Sequence, residues 1–322
     1  MRLRLVPDGT SFDFFKYVPI AAVISIVAVL GSVLLMFLLG LNYGIDFRGG
    51  TTIRTDAQQP VVISDYRDAL DPLNLGDIAI SEVFDPTKPD QNVTQIRIEA
   101  QEGDEAITPD TIEAIKSALL SVDASMTFPS VESVGPKVSG ELILTAVYAV
   151  VAAIGAVLFY IWLRFEWQFS VGAVAALVHD IVITIGVFSL LQIKFDLAII
   201  AALLTIVGYS LNDTVVVFDR VRENLRKFKK QELKNVLNLS INETLARTVM
   251  TSVTTLIALV SLFYLGGDVI HGFVFAMIWG VLVGTYSSVF VASAILLRLG
   301  VTRDPEKKND GKAGTQFANI DA

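Results

Sequence analysis

The sequence predicts a polytopic α-helical membrane protein with a small α+β domain inserted after its first helix. Three observations carry that prediction. Of 322 residues, 53% are hydrophobic and 18% are charged, fewer charges than the roughly one quarter typical of soluble domains. The apolar residues fall into six runs, and a bilayer-spanning helix needs about 20 such residues. Acidic side chains crowd between Asp46 and Glu141, in the polar stretch that separates the first run from the other five.

The first run, about 17–41, follows Lys16. It exceeds the about 7–15 residues of a signal-peptide core and ends in Gly40-Leu41-Asn42-Tyr43-Gly44, so it reads as a retained signal-anchor helix. Five further spans are expected at about 142–163, 170–191, 197–218, 248–266 and 272–297. Basic residues lie before the first span, at Arg164, through the loop from Arg220 to Lys234, and from Arg298 onward. With six spans all these positions fall on one side, and the positive-inside rule makes that side cytoplasmic. The expected organisation is a cytoplasmic N-terminus (1–16), a first transmembrane helix (17–41), a periplasmic domain (42–141), a five-helix region (142–298) and a polar, disordered cytoplasmic tail (299–322). The localisation read from this is a bacterial inner membrane.

Within the insert, Thr51–Thr55 reads as a strand and Ser64–Leu70 as a short helix capped by Ser64. Ile78–Phe84 and Val93–Ala100 alternate like strands about a turn at Pro86–Asp90. Thr111–Val122 reads as a helix and Met126–Val134 as a last strand. The order β-α-β-β-α-β is that of a ferredoxin-like sandwich.

Several function classes are excluded at this point. The chain has no cysteine, so it offers no disulfide, thiol nucleophile or thiolate metal site. Its two histidines, His179 and His271, are far apart in sequence and do not resemble a zinc pair. The net charge of −8, with basic residues clustered at the two ends and in one internal loop and acidic ones crowding the insert, argues against a nucleic-acid surface. No cofactor, metal or hydrolytic site is expected.

Charge inside the bilayer is the sharpest signal, since a lone carboxylate at its centre costs at least about 2.5–3.5 kcal/mol. Asp180 and Asp213 both lie within apolar runs. Tyr209 and Ser210 precede Asp213 by four and three residues and share its face; Asn212 adjoins it. Ser240-Ile241-Asn242-Glu243 fits a capping box at the start of the fifth helix. Arg247, Thr251, Thr254 and Thr255 then form a polar stripe expected to face the bundle interior, where Arg247 and Asp213 could meet. A buried Asp near a cation can act as a proton switch. The bland alternative makes Asp213 an interhelical hydrogen bonder and Arg247 an interfacial residue. His179 and Asp180 are neighbours in sequence and are expected to point apart, with His179 a packing residue. Gly280, Gly284 and Ser288 have the spacing of close helix packing. Gly44, Asp46, Gly49 and Gly50 after the first span, and Gly135 and Pro136 before the second, read as hinges between domain and membrane. The first lacks the Gly-Lys-Ser/Thr ending of a nucleotide loop.

Gly44-Ile45-Asp46-Phe47-Arg48-Gly49-Gly50 resembles the signature of the SecD/SecF family of protein-export membrane proteins. Val134-Gly135-Pro136 resembles the same family, and His179-Asp180, Val207–Arg220 and Asn242–Thr248 look like its SecF-type pattern. The resemblance covers about 40–300. It implies a resistance–nodulation–division (RND) type half-transporter of six helices, paired with a SecD-type partner as a heterodimer. It implies work alongside the SecYEG channel, SecA and YajC/YidC-type auxiliaries on a translocating unfolded polypeptide, driven by the proton-motive force, with membrane lipid as the remaining partner. Asp213 and Arg247 match the family's proton-pathway positions, with Asp180 a further candidate and Thr251 supporting. A proton-driven small-molecule exporter half of the same broad fold and a passive translocon scaffold are the competing readings.

Overall fold

In the computed structural model, the structure describes residues 7, 10–58, 60, 62–76, 78–83, 92–98, 107–266 and 268–301. The expected turn at Pro86–Asp90 and the tail beyond 301 lie outside the described residues. Six described helices are long and apolar enough to cross a membrane. The chain opens with α1 (Val18–Leu38) and a one-turn helix, α2 (Ile45–Arg48). The inserted domain follows as β1 (Gly50–Ala57), α3 (Ile63–Leu70), β2 (Ile78–Val83), β3 (Asn92–Ile98), α4 (Pro109–Val122) and β4 (Thr127–Val134). Five spans complete it: α5 (Pro136–Arg164), α6 (Trp167–Leu191), α7 (Leu197–Lys227), α8 (Leu233–Leu265) and α9 (Asp268–Ser287), the last continuing through a π turn (Ser288–Ala292) into α10 (Ser293–Leu299).

The domain's strands pair antiparallel in the order β2-β3-β1-β4, the sheet of a ferredoxin-like sandwich with β1 and β3 central. Alternation sets the two faces. Ile53, Ile96 and Ile98 are buried against Tyr66 and Leu70 of α3 and Ile115 and Leu119 of α4. The opposite face, with Thr52, Arg54, Gln95, Ser130 and Glu132, borders a cavity shared with Lys194, Asp196 and His271 at the ends of the membrane helices. The second helix of the domain starts as a cap should, with the Thr108 hydroxyl accepting from the Thr111 N–H at 3.3 Å.

In the membrane region α6, α7 and α9 form the centre, while α1, α5 and α8 leave rows of large apolar side chains exposed, as lipid contact requires. Small residues set the close approaches. A Cβ at Gly280 would run into the Ile206 side chain, one at Gly186 would run into Ser32 of α1, and one at Gly284 would meet Ser210 Cβ at 3.1 Å. The small-residue spacing on α9 is thus the α7–α9 seam.

Four expectations change. Ser64 lies within α3, whose N-cap is Val62 with no side-chain cap bond. The helix that carries the second span begins at Pro136, ahead of the expected 142, because proline suits a helix's first position; its apolar span is Ser139–Arg164. The basic Arg220–Lys234 segment is mostly helical, since α7 runs to Lys227 and α8 begins at Leu233. Ser240–Glu243 is no capping box, because it lies two turns inside α8, whose N-cap is Glu232. Its polar groups have tertiary partners instead. Asn242 Oδ1 accepts from the Phe12 N–H at 2.9 Å and its amide donates to the Phe12 carbonyl at 2.8 Å. Asn224 Nδ2 donates to Ser240 Oγ at 3.1 Å and Glu243 Oε2 at 2.7 Å.

Candidate functional site

Two acids occupy the centre of the bundle, and they are solvated in opposite ways. Asp180, on α6, is fully buried. Its Oδ2 accepts from Ser210 Oγ of α7 at 2.7 Å and from Ser287 Oγ of α9 at 2.7 Å. Its Oδ1 lies 2.9 Å from His179 Nδ1. One carboxyl group therefore joins the three central helices. The pairing with His179 corrects the expectation that these neighbours point apart: the imidazole folds back along the helix surface and stacks on Tyr286 with ring centroids 6.1 Å apart. Tyr286 in turn donates to the Ala21 carbonyl of α1 at 2.8 Å, so the network reaches a fourth helix. His179 Nε2 is buried without a hydrogen-bond partner.

Asp213, one turn beyond Ser210 on α7, is 3% exposed, and its Oδ2 has no hydrogen-bond partner. Arg247 of α8 is within electrostatic reach, but no ion pair joins the two among the described residues. Arg247 lines a cavity of about 370 Å³ with Tyr160, Arg164, Asp219, Arg220, Glu223 and Glu243. The carboxylates around this cavity are engaged: Glu223 Oε2 pairs with Arg220 at 2.8 Å and Glu243 Oε2 lies 3.6 Å from the same guanidinium. Arg247 thus belongs both to this charged cavity and to the electrostatic surroundings of an acid whose oxygen is unpaired. A buried acceptor left unpaired costs about 1–3 kcal/mol, more when ionised. Asp213 is the one acid within the membrane spans with such an oxygen among the described residues.

The supporting residues divide. Ser210 serves Asp180 instead of Asp213. The Tyr209 hydroxyl is buried without a partner. Asn212 is exposed on the outer face of α7. Thr251 is half-buried and donates to the Thr248 carbonyl of its own helix at 2.9 Å. The expected inward stripe of Arg247, Thr251, Thr254 and Thr255 is corrected: Arg247 and Thr254 are exposed, and the buried polar face of α8 is Thr244, Thr248 and Ser252. Helix rotation by one residue, about 100°, separates the two stripes. Ser252 bonds Thr285 of α9 at 2.7 Å. Sequence reasoning missed Ser287, whose place one turn after Gly284 on the small-residue face was the available signal.

At the other end of α7 the segment after α1 locks onto the α6–α7 corner. Tyr43 and Phe195 form a parallel bridge, with Gly44 N–H donating to Phe195 O at 2.8 Å and Phe195 N–H to Asn42 O at 2.7 Å. Asp46 Oδ2 accepts from the Leu197 N–H at 3.0 Å, while Asp196, the helix's own N-cap, accepts from Ile199 N–H at 3.3 Å. Burial raises the Asp196 carboxyl above its ordinary range; Lys194, 3.8 Å away, opposes that and Asp46 adds to it. A side chain at Gly44 would be tight, since a Cβ would sit 3.0 Å from Lys194 Cε and 3.1 Å from Asp196 Cβ and would push these neighbours aside. Gly49 and Gly50 adopt φ of 75° and 119°, values that favour glycine, where α2 turns into β1. Gly135 is the N-cap of α5 and Pro136 its first residue.

Six apolar helices enclosing a polar centre, with a βαββαβ domain set between the first and second, define a multi-pass membrane protein with one extramembrane α+β domain. The chain belongs to the SecD/SecF family: residues 114–302 match the profile of "Protein export membrane protein SecD/SecF, C-terminal" and residues 34–61 that of the "SecD/SecF GG Motif". It is 60% identical to the protein translocase subunit SecF of Cereibacter sphaeroides over 100% of this chain and 99% of that one. It is 56% identical to the Rhodobacter capsulatus SecF over 96% of this chain and 95% of that one. The crystal structure of SecDF from Thermus thermophilus, described as a translocon-associated membrane protein, superposes with a TM-score of 0.80 at 33% identity, covering 93% of this chain. A SecDF structure in a super-membrane-facing form gives 0.67 at 35% identity and the same coverage. The chain spans about 40% of the length of these solved SecDF chains.

Proposed function

We propose that this chain is the SecF-type subunit of a protein translocase, pairing with a SecD-type subunit and coupling proton movement to displacement of its α+β domain, with Asp213 as the proton-exchanging acid. The observation that carries this reading is the buried, unpaired Oδ2 of Asp213 within reach of Arg247, which lines a charged cavity. Protonation and deprotonation change what that oxygen needs from its surroundings. Arg247 keeps its charge throughout, so helix movement toward or away from it selects one protonation state.

Asp180 is the poorer candidate. Its two serine bonds and its histidine contact fix it as a pin between helices. The exposed faces of Asn212 and Arg247 suit burial against the partner half of an RND-type pair. The basic residues on the loop sides support cytoplasmic termini in a bacterial inner membrane, with the domain in the periplasm. There the domain would act on unfolded polypeptide leaving the SecYEG channel after SecA, with YajC/YidC-type auxiliaries nearby. One proton crossing 100 mV releases about 2.3 kcal/mol, and about 1.4 kcal/mol is tenfold in an equilibrium, so a few protons suffice to reverse a two-state domain position.

The test is export of a periplasmic reporter with and without an imposed proton-motive force, comparing wild type with Asp213→Asn at equal membrane levels and equal recovery of the SecD-type partner. The reading predicts loss of the force-dependent increment in the variant. Wild-type export by the variant contradicts it.

A further inference from the structure

The Asp46 carboxylate lies on a different segment from the helix it caps. Its Oδ2 accepts from the Leu197 N–H at 3.0 Å across 151 residues, and Leu197 is the first residue of α7, the helix that carries Asp213. Helix α7 already has a local cap in Asp196. The Asp196 carboxylate takes the Ile199 N–H, and Asp46 supplies the acceptor for the Leu197 N–H, another of the first-turn donors that have no partner within the helix. Helix N-termini do favour negative charge, yet two acids there repel each other. The arrangement therefore caps α7 from another segment of the chain, and so adds a connection.

That connection is anchored on both sides. Toward the membrane, the Tyr43–Phe195 bridge and its two backbone bonds fasten the segment to the α6–α7 corner, and Phe47 is buried among Leu177, Phe188, Phe195 and Ile199. Toward the domain, α2 runs through Gly49 directly into β1, the sheet strand paired with both β3 and β4. Ser139 Oγ also donates to the Ile45 carbonyl at 3.4 Å, so the start of α5 joins the same joint. The cavity beside Asp46 is lined by Thr52, Arg54 and Glu132 of the sheet and by Lys194, Asp196 and His271 of the membrane region, so the two faces are not closely packed there.

We infer that Asp46 is a positioning residue that links the root of the extramembrane domain to the first turn of α7, so that domain tilt and the setting of the Asp213 helix change together. The inference rests on the proposed role of Asp213. From Leu197 to Asp213 is ~24 Å along a helix that rises 1.5 Å per residue, and a helix transmits axial displacement over that length as a rigid rod. A domain swing that withdraws Asp46 leaves the Leu197 N–H uncapped; a shift of α7 draws Asp46, and with it β1, along.

The experiment compares wild type, Asp46→Ala, Asp46→Asn, Asp213→Asn and the double variant Asp46→Ala/Asp213→Asn, each in the whole complex. Hydrogen exchange of the full chain in nanodiscs reads the joint directly. The Leu197 amide should exchange about fivefold faster in Asp46→Ala, the effect of losing a typical helix cap, and near the wild-type rate in Asp46→Asn, whose amide oxygen still accepts. Reporter export under an imposed proton-motive force reads the coupling. Asp46→Ala should lose most of the force-dependent increment while keeping force-independent export, Asp46→Asn should recover most of it, and the double variant should be no worse than Asp213→Asn. A merely structural role predicts instead that Asp46→Ala lowers both components alike and that the double variant falls below either single one, which overturns the inference. Wild-type increment in Asp46→Ala with loss in Asp213→Asn removes the link and leaves the proposed function standing; wild-type increment in Asp213→Asn removes both.

Discussion

Replacing Asp180 with alanine takes away the acceptor of two serine hydroxyls at 2.7 Å and the partner of His179 at 2.9 Å. Side-chain hydrogen bonds within membrane bundles average about 0.6 kcal/mol and reach about 1.7, so three together are worth ~2–5 kcal/mol. Ser287 retains a 3.2 Å bond to the Gly284 carbonyl, which places the loss toward the lower half of that range. Asparagine behaves differently. Its amide oxygen keeps both serines, and its NH₂ faces a His179 Nδ1 that accepts when the ring proton sits on Nε2. Asp180→Asn should therefore cost under about 1.5 kcal/mol, the scale of one rearranged hydrogen bond. Reversible unfolding in mixed micelles measures both. An alanine variant as stable as wild type, or an asparagine variant as damaged as alanine, refutes the view of Asp180 as a three-helix pin.

Three further outcomes follow from the packing and the charges. Gly280→Leu drives a side chain into Ile206 across the α7–α9 seam and should destabilise by about 1–3 kcal/mol, read by the same unfolding assay. Leu119→Ala empties a fully buried site between α4 and the sheet and should cost about 2–5 kcal/mol, with faster proteolysis of the extramembrane domain while the membrane helices stay protected. The Asp196 carboxyl is raised by burial, so its folded form favours the proton more than the unfolded chain does. That contribution stabilises fully below the ordinary carboxylate range and is lost as pH rises through the raised value. Asp196→Asn should thus raise thermal stability at neutral pH, and the gain should shrink as pH falls to about 4, near the unperturbed Asp value; a pH-independent difference contradicts the assignment.

Much of this architecture was legible because its signals are long. Six apolar runs and a strand-helix alternation survive errors of several residues, and both reappear in the structure. What the structure overturns are the short-range motifs at helix ends. Ser240–Glu243 has the letters of a capping box, yet those groups serve Phe12 and Asn224 from the middle of a helix. A local motif cannot reveal that the chain's own N-terminal segment lies alongside. The polar stripe on α8 failed for a related reason. Thr244, Thr248 and Ser252 compete with Arg247, Thr251 and Thr254 for the inward face, and only packing against α9 decides. Asp180 and Asp213 were both visible as charges in apolar runs, but their different roles depend on Ser287, contributed by a helix more than 70 residues away. The joint at Asp46 was visible as a glycine-flanked acid; that its partner is the Leu197 amide is a tertiary fact.

The most direct test of the central claim is the force-dependent increment of reporter export in Asp213→Asn, with assembly verified by equal recovery of the partner subunit. The change keeps size and hydrogen bonding and removes ionisation. The account predicts an assembled complex whose export no longer responds to the proton-motive force. An assembled complex that responds as wild type does contradicts it.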